Sequence, residues 1–171
     1  MFKQIKSFCY IKSIKESKNI KSKLLKYIED MPGQSYGQVT RTDWDLPKDY
    51  VKPYVKYFVN ILKPYMKPVT KKMYAKNWVI HNMWYQQYYK NSHHEWHTHP
   101  WVQFSSVYYV ELPDERYATQ FKDPVNNEIF QLDVKEGDLL IFPSALIHRS
   151  PKIKSNKRKT IISFNSSFTQ K

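Results

Sequence analysis

A chain of 171 residues is long enough to bury one hydrophobic core, and 41% hydrophobic residues excludes a disordered polymer. No apolar run approaches the roughly 20 residues of a membrane span, and the lysine-rich start MFKQIKSFCYIKSIKES lacks a signal peptide's apolar core and cleavage pattern. The single cysteine, Cys9, excludes an internal disulfide and fits a reducing cytoplasm, while the net charge of +13 permits an acidic or anionic partner. Those lysines are spread along the chain without an arginine-rich cluster, and abundant Lys, Tyr, Ile and Asn beside only 3 glycines also read as coding bias.

Residues 1–14 mix apolar and lysine side chains at a period near two, which predicts an opening strand. Ser17 stands as an N-cap for a helix over 18–30, with Ile20, Leu24, Leu25 and Ile28 on one face and lysines on the other. Pro32-Gly33 stops it, and residues 33–47 read as a loop with a short strand near 38–40. Arg41 and Asp43 in that loop are noted for function, with solvated surface the plainer reading. A second helix is predicted over 48–65, its apolar face built from Tyr54, Val55, Phe58, Val59, Ile61 and Leu62, and ended by Pro64 and Pro68.

From Ala75 onward the texture becomes all-β. Strands are predicted over 78–89, 95–99, 104–111, 118–122, 129–132, 138–142 and 160–165, separated by turn-forming stretches. Two helices followed by about seven strands predict a mainly β single domain over 1–171. Residues 1–75 are its helical support, and 76–171 form a sandwich or barrel.

The chemistry concentrates in HHEWHTHPWVQFSSVYYV, residues 93–110. On a regular strand His97 and His99 leave the same face about 6.6 Å apart at their roots. Two imidazoles of that reach can converge on one metal ion. His148, in a loop after the apolar run Leu139–Phe142, supplies a third. An isolated strand histidine is ordinarily a core or surface residue, so the joint pattern carries the argument. His93 with Glu95 offers a rival pair that brings in a carboxylate, and Glu95 otherwise reads as an acceptor for a ligand's ring N–H.

The order His-x-His-Pro, Ser-x-Val-Tyr-Tyr, Glu-Gly-Asp-x-x-x-Phe-Pro-Ser-x-x-x-His and Arg-Lys-Thr-x-x-Ser-Phe-Asn resembles the iron(II)- and 2-oxoglutarate-dependent dioxygenases. More narrowly, it is similar to a small branch of that superfamily common in bacteriophages. The segment GDLLIFPSALIH, with a basic residue some ten positions on, is its most specific part. The resemblance implies a double-stranded β-helix, the jelly-roll or cupin-like barrel, braced by the two α-helices. It also implies Fe(II) and 2-oxoglutarate as cofactors, O2 as co-reactant, and hydroxylase chemistry on a C–H bond. The metal ligands it implies are His97 and His148, and the position where most of the superfamily has an acid falls on His99.

A cation after the distal histidine should hold the far carboxylate of 2-oxoglutarate. Arg158, with Thr160 on its face, is preferred for its bidentate fork, whereas Lys159 shares a face with Ser163 and Asn165. Tyr85, Gln87, Ser105, Tyr108 and Tyr109 come from strands expected to line the barrel, with Tyr85 and Tyr109 as cosubstrate contacts. Trp84, Trp96 and Trp101 are expected near its rim. Two other readings stay open: a cupin-like metal protein with a three-His site and no oxygenase activity, and a basic protein that binds nucleic acid or another acidic partner. Substrate and oligomeric state are not legible.

Overall fold

The computed structural model describes residues 8–170. Eleven strands and two helices follow one another as β1 Tyr10–Ser13, α1 Ser17–Glu29, β2 Gln34–Tyr36, β3 Val39–Thr42, α2 Pro53–Lys72, β4 Asn77–Tyr88, β5 His94–His97, β6 Phe104–Glu111, β7 Gln120–Lys122, β8 Ile129–Gln131, β9 Asp138–Pro143, β10 Ile147–Ser150 and β11 Lys159–Thr169. The strands form a seven-stranded sheet in the order β1-β9-β6-β11-β4-β3-β2 and a four-stranded sheet in the order β5-β10-β7-β8. Every strand pair is antiparallel. This is the jelly roll expected, mainly β with two helices.

Alternation along the large sheet divides its residues between two cores. Tyr85, Tyr108, Leu139, Ile141, Ile162 and Phe164 face α1 and α2, where Leu24, Ile28, Phe58 and Leu62 are fully buried against them. Val107, Tyr109, Leu140, Phe142 and Ile161 face the small sheet and pack with its Phe121. Phe121 meets Phe142 edge-on at 4.9 Å between ring centres, which ties the two sheets together.

The helices differ from expectation at their ends. Ser17 lies inside α1 rather than capping it, and no side chain caps that end. α2 begins at Pro53, where a missing N–H costs nothing, and runs on to Lys72 through Pro64 and Pro68. Those two prolines are four apart on the exposed face, where the carbonyls they leave unpaired can meet water. Tyr54, Phe58, Leu62, Met66 and Val69 hold the buried stripe through them, so the apolar face outweighs the prolines.

Asp43, read as surface, is fully buried. Its carboxylate accepts from the Tyr54 hydroxyl at 2.6 Å and the Tyr85 backbone N–H at 2.8 Å, and pairs with Lys52 at 2.9 Å. It thereby pins the start of α2 to β4. Arg41 is likewise structural, donating to Gln87 at 3.1 Å and to the carbonyls of Glu29 and Met31. Only the Tyr10–Ser13 part of the opening strand is seen, because residues 1–7 lie outside those described. The loop over 33–47 contains a short hairpin, β2–β3. The segment around His148, expected as a loop, is strand β10.

The Glu136-Gly137-Asp138 turn ties three strands at one edge. Gly137 donates to the Tyr109 carbonyl at 2.8 Å and accepts from the Ile14 N–H at 3.0 Å. Its φ of +87 and the Ser17 side chain, 2.7 Å from where a Cβ would stand, both require glycine.

Candidate metal centre

β5 and β10 are antiparallel neighbours, with His97 directly opposite His148. Residues so paired share a face, and this face looks into the space between the sheets. His99 lies just past the end of β5, held there by its backbone N–H on the Ser144 carbonyl at 3.0 Å. The ligating nitrogens of His97, His99 and His148 all lie within 4.8 Å of one another. Ring centres are 4.2 Å apart for His97 and His148, and 5.0 Å for His97 and His99.

Three imidazoles this close must be neutral, and the site keeps them so. Burial, reinforced by the neighbouring histidines, lowers the pKa of His148 to about 3 and of His99 to about 4, and burial also lowers His97. His97 Nδ1 lies 2.7 Å from the Glu95 carbonyl, and His148 Nδ1 lies 2.8 Å from the Leu146 carbonyl. A neutral ring that donates from Nδ1 has an unprotonated Nε2, the form a metal binds. The donor set and its supporting bonds therefore fit a divalent first-row ion such as Fe(II).

The rival carboxylate is elsewhere. Glu95 is exposed and pairs with His93 at 2.7 Å, and its backbone carbonyl, not its carboxylate, meets His97. The reason is a register shift between β5 and β10, where Ser150 faces His94 and His148 faces His97. The irregularity breaks the expected alternation through 95, 97 and 99, and brings in His94 instead. His94 is the residue the sequence reading missed. Its ring centre is 4.1 Å from that of His97, and Gln86 Nε2 approaches its Nδ1 at 3.4 Å.

Cross-strand register decides the remaining candidates. Ser163 of β11 faces Trp84 of β4, and Lys159 faces Tyr88, so Trp84, Gln86 and Tyr88 line the histidine cavity with Ser105, Ser163 and Asn165. Tyr85, Gln87 and Tyr108 sit on the opposite face, under the helices. Tyr85 packs edge-on against Tyr54 of α2, and its hydroxyl donates to the Pro32 carbonyl at 3.2 Å. Tyr109 is on the cavity side, but its hydroxyl is fully used between the Thr119 hydroxyl at 2.9 Å and the Thr119 N–H at 3.1 Å. Thr160 lies on the helix-side face with Gln87, fully buried, and donates to Glu111. Trp84 lies 5.9 Å from the His99 ring, Trp101 is 94% exposed, and Trp96 is covered by the guanidinium of Arg149, a residue that also lines the cavity and donates to Gln120 at 2.8 Å.

Arg158 does not reach the cavity. Glu111 takes its Nε at 2.7 Å and Glu29 its Nη1 at 3.0 Å. Lys159 points the other way and is completely buried, donating to the Tyr117 carbonyl at 2.7 Å and Ser150 Oγ at 2.8 Å. Burial lowers its pKa to about 7, and among the described residues no carboxylate pairs with it. A buried ammonium without an anion is costly, and the arrival of a carboxylate would relieve it.

A family model described as phytanoyl-CoA dioxygenase (PhyH) matches residues 71–161. No curated protein sequence matches the chain. Among solved structures, a 2OG-Fe(II) oxygenase family oxidoreductase from Burkholderia pseudomallei superposes with a TM-score of 0.72 at 12% identity, covering 93% of this chain and 84% of that one. HygX from Streptomyces hygroscopicus, solved with nickel and 2-oxoglutarate, gives 0.71 at 12% identity over 94% and 83%. The viral collagen prolyl hydroxylase of Paramecium bursaria Chlorella virus-1 gives 0.63 at 12% identity over 96% and 97%. At such identities the structural likenesses speak for the fold.

Proposed function

The chain belongs to the phytanoyl-CoA dioxygenase (PhyH) family, and on that premise we propose that it is an Fe(II)- and 2-oxoglutarate-dependent hydroxylase whose metal ligands are His97, His99 and His148. The observation that carries the reading is the convergence of three neutral imidazoles, two with Nδ1 bonded to a backbone carbonyl, between the sheets of a jelly roll. The chemistry that Fe(II) and 2-oxoglutarate supply when bound is activation of O2, coupling loss of carbon dioxide from the cosubstrate to oxidation of a substrate C–H bond.

The chain's own residues have three tasks. The carbonyls of Glu95 and Leu146 fix the tautomer of His97 and His148. Phe121, Phe142 and Trp84 wall the site and exclude water. Lys159 holds the far carboxylate of 2-oxoglutarate, a role supported by its burial, its missing anion and its place on the Ser163 face of β11. Arg158, engaged by two glutamates, braces the outside.

Anaerobic titration with Fe(II) and then 2-oxoglutarate tests the proposal. The expected result is a visible charge-transfer band, followed by succinate formation when air is admitted. Iron bound without band or succinate would reject it and select the second reading, a non-oxygenase cupin-like metal site, which the carboxylate-free ligand set favours.

A further inference from the structure

We propose that a basic groove between the end of α2 and the start of β4 binds single-stranded nucleic acid. From Tyr50 to His94 the sequence contains no acidic residue, while lysines recur through it. Lys63, Lys67 and Lys71 stand four apart on α2 and are exposed, so they form a ladder with steps of about 6 Å. Lys76, at the mouth of β4, adds a fourth ammonium. These four side chains border one groove of about 450 Å³ with Thr70 and Trp78, and no acidic residue lines it. Among the described residues no ion pair engages any of the four.

Two aromatic features distinguish the groove from a merely solvated helix face. The indole N–H of Trp78 is buried behind the groove wall and has no acceptor among the described residues. Beside it Tyr74 is 88% exposed and stands at φ +51, in the left-handed position that normally goes to glycine at a helix end. Its N–H bonds to Lys71 O at 3.0 Å and the next N–H, of Ala75, to Thr70 O at 3.1 Å, so the main chain at Tyr74 is fixed between two residues of the groove lining, Lys71 and Ala75. A line of cations with one exposed aromatic ring at its end, that of Tyr74, is what a single strand requires: ammonium groups for successive phosphates and a ring for base stacking. An acidic peptide would use the cations but not the ring. The groove lies at the Trp78 end of β4 and the histidine cavity at its Gln86 end, roughly 25 Å away along the strand, so a strand held there leaves the metal centre open.

The test is fluorescence anisotropy of a labelled oligothymidylate with the full chain, repeated at several salt concentrations. Binding should weaken steeply with salt. The triple variant Lys63→Glu, Lys67→Glu, Lys71→Glu should weaken it by about tenfold or more, while Lys152→Glu, Lys154→Glu, Lys157→Glu, with the same change in net charge at the other end of β4, should change it less than about threefold. Tyr74→Gly should raise thermal stability by relieving the backbone and still weaken binding about fivefold or more, a split that a purely structural tyrosine would not give. Circular dichroism checks that each variant is folded. Equal losses in both triple variants, no loss in the groove variant, or polyglutamate competing as well as unlabelled oligonucleotide would each overturn the proposal.

Discussion

The two faces of the seven-stranded sheet share the same strands and do opposite work. On the helix side, β4, β6, β9 and β11 present Tyr85, Tyr108, Leu139, Ile141, Ile162 and Phe164 to a core that α1 and α2 close. On the other side, neighbours one residue along present Trp84, Gln86, Ser105, Ser163 and Asn165 to the histidine cavity. A face filled with matched apolar volume stabilises by area removed from water. The cavity that the other face closes with the small sheet does the reverse, because the four imidazoles of His94, His97, His99 and His148 and the buried Lys159 ammonium each lose hydration and repel the others once charged. The comparison teaches that the helices supply the stability which the cavity side spends on its polar groups.

The largest expected effect tests the stabilising face. Phe58 is fully buried on α2 and packs against Tyr108 with the rings tilted at 39° and their centres 4.7 Å apart. Phe58→Ala should destabilise by about 3–5 kcal/mol in denaturant unfolding, while the protein that remains folded still binds metal. Next, His148→Ala should weaken metal binding by more than about 100-fold, beyond what losing an outer bonding partner costs, while thermal stability stays near or above that of the parent. If His148→Ala unfolds the metal-free protein, the division of labour between the faces is wrong.

Much of this division was legible because strands alternate. The pattern Ser-x-Val-Tyr-Tyr over β6 and the apolar run of β9 predicted their elements, and β6 fell on Phe104–Glu111 as expected. The histidines 97, 99 and 148 were legible as a spacing joined to a distant partner, and the structure brings them together. What could not be read was register. The parity of β4 depends on Ser163 meeting Trp84, a pairing between residues far apart in sequence, and so Tyr85 and Gln87 were assigned to the wrong face. The shift between β5 and β10 admits His94 and turns Glu95 away, and no local signal announces it. Asp43 was misjudged for a similar reason. Its three partners, Lys52, Tyr54 and Tyr85, come from two later elements, and loop composition alone cannot show them.

A smaller effect sharpens the comparison at the boundary between adjacent residues of β11. Lys159→Met should weaken 2-oxoglutarate binding by about tenfold or more, since a charge-assisted pair is lost. Its thermal stability should stay within a few degrees, because the same change removes a buried unpaired cation. Arg158→Gln should leave 2-oxoglutarate affinity within about twofold, because exposed and half-buried ion pairs of this kind brace the surface. Isothermal titration of the metal-loaded protein distinguishes the two, and a reversal of their order would return the anchor to Arg158.

The smallest effect concerns pH in the metal-free protein. Burial depresses the pKa of His94 and His148 to about 3 and of His99 to about 4, from an ordinary 6.5. The folded state therefore refuses protons that the unfolded chain accepts once pH falls below 6.5. Stability is fully present above that value and is lost progressively as pH falls from 6.5 to about 3, the lowest of these folded-state values. Replacing one imidazole by an amide removes one such proton from the balance, so His148→Gln should show a shallower fall. Between pH 7.5 and 5 its melting temperature should drop less than the parent's by about 2–4 °C, the shift that roughly 1 kcal/mol produces at this size. A change in the helix-side core such as Ile162→Val should lower the melting temperature at both pH values alike and leave the slope untouched. Equal slopes for His148→Gln and the parent would mean that the cavity hydrates its imidazoles, and the contrast between a stabilising and a chemically strained face would fail.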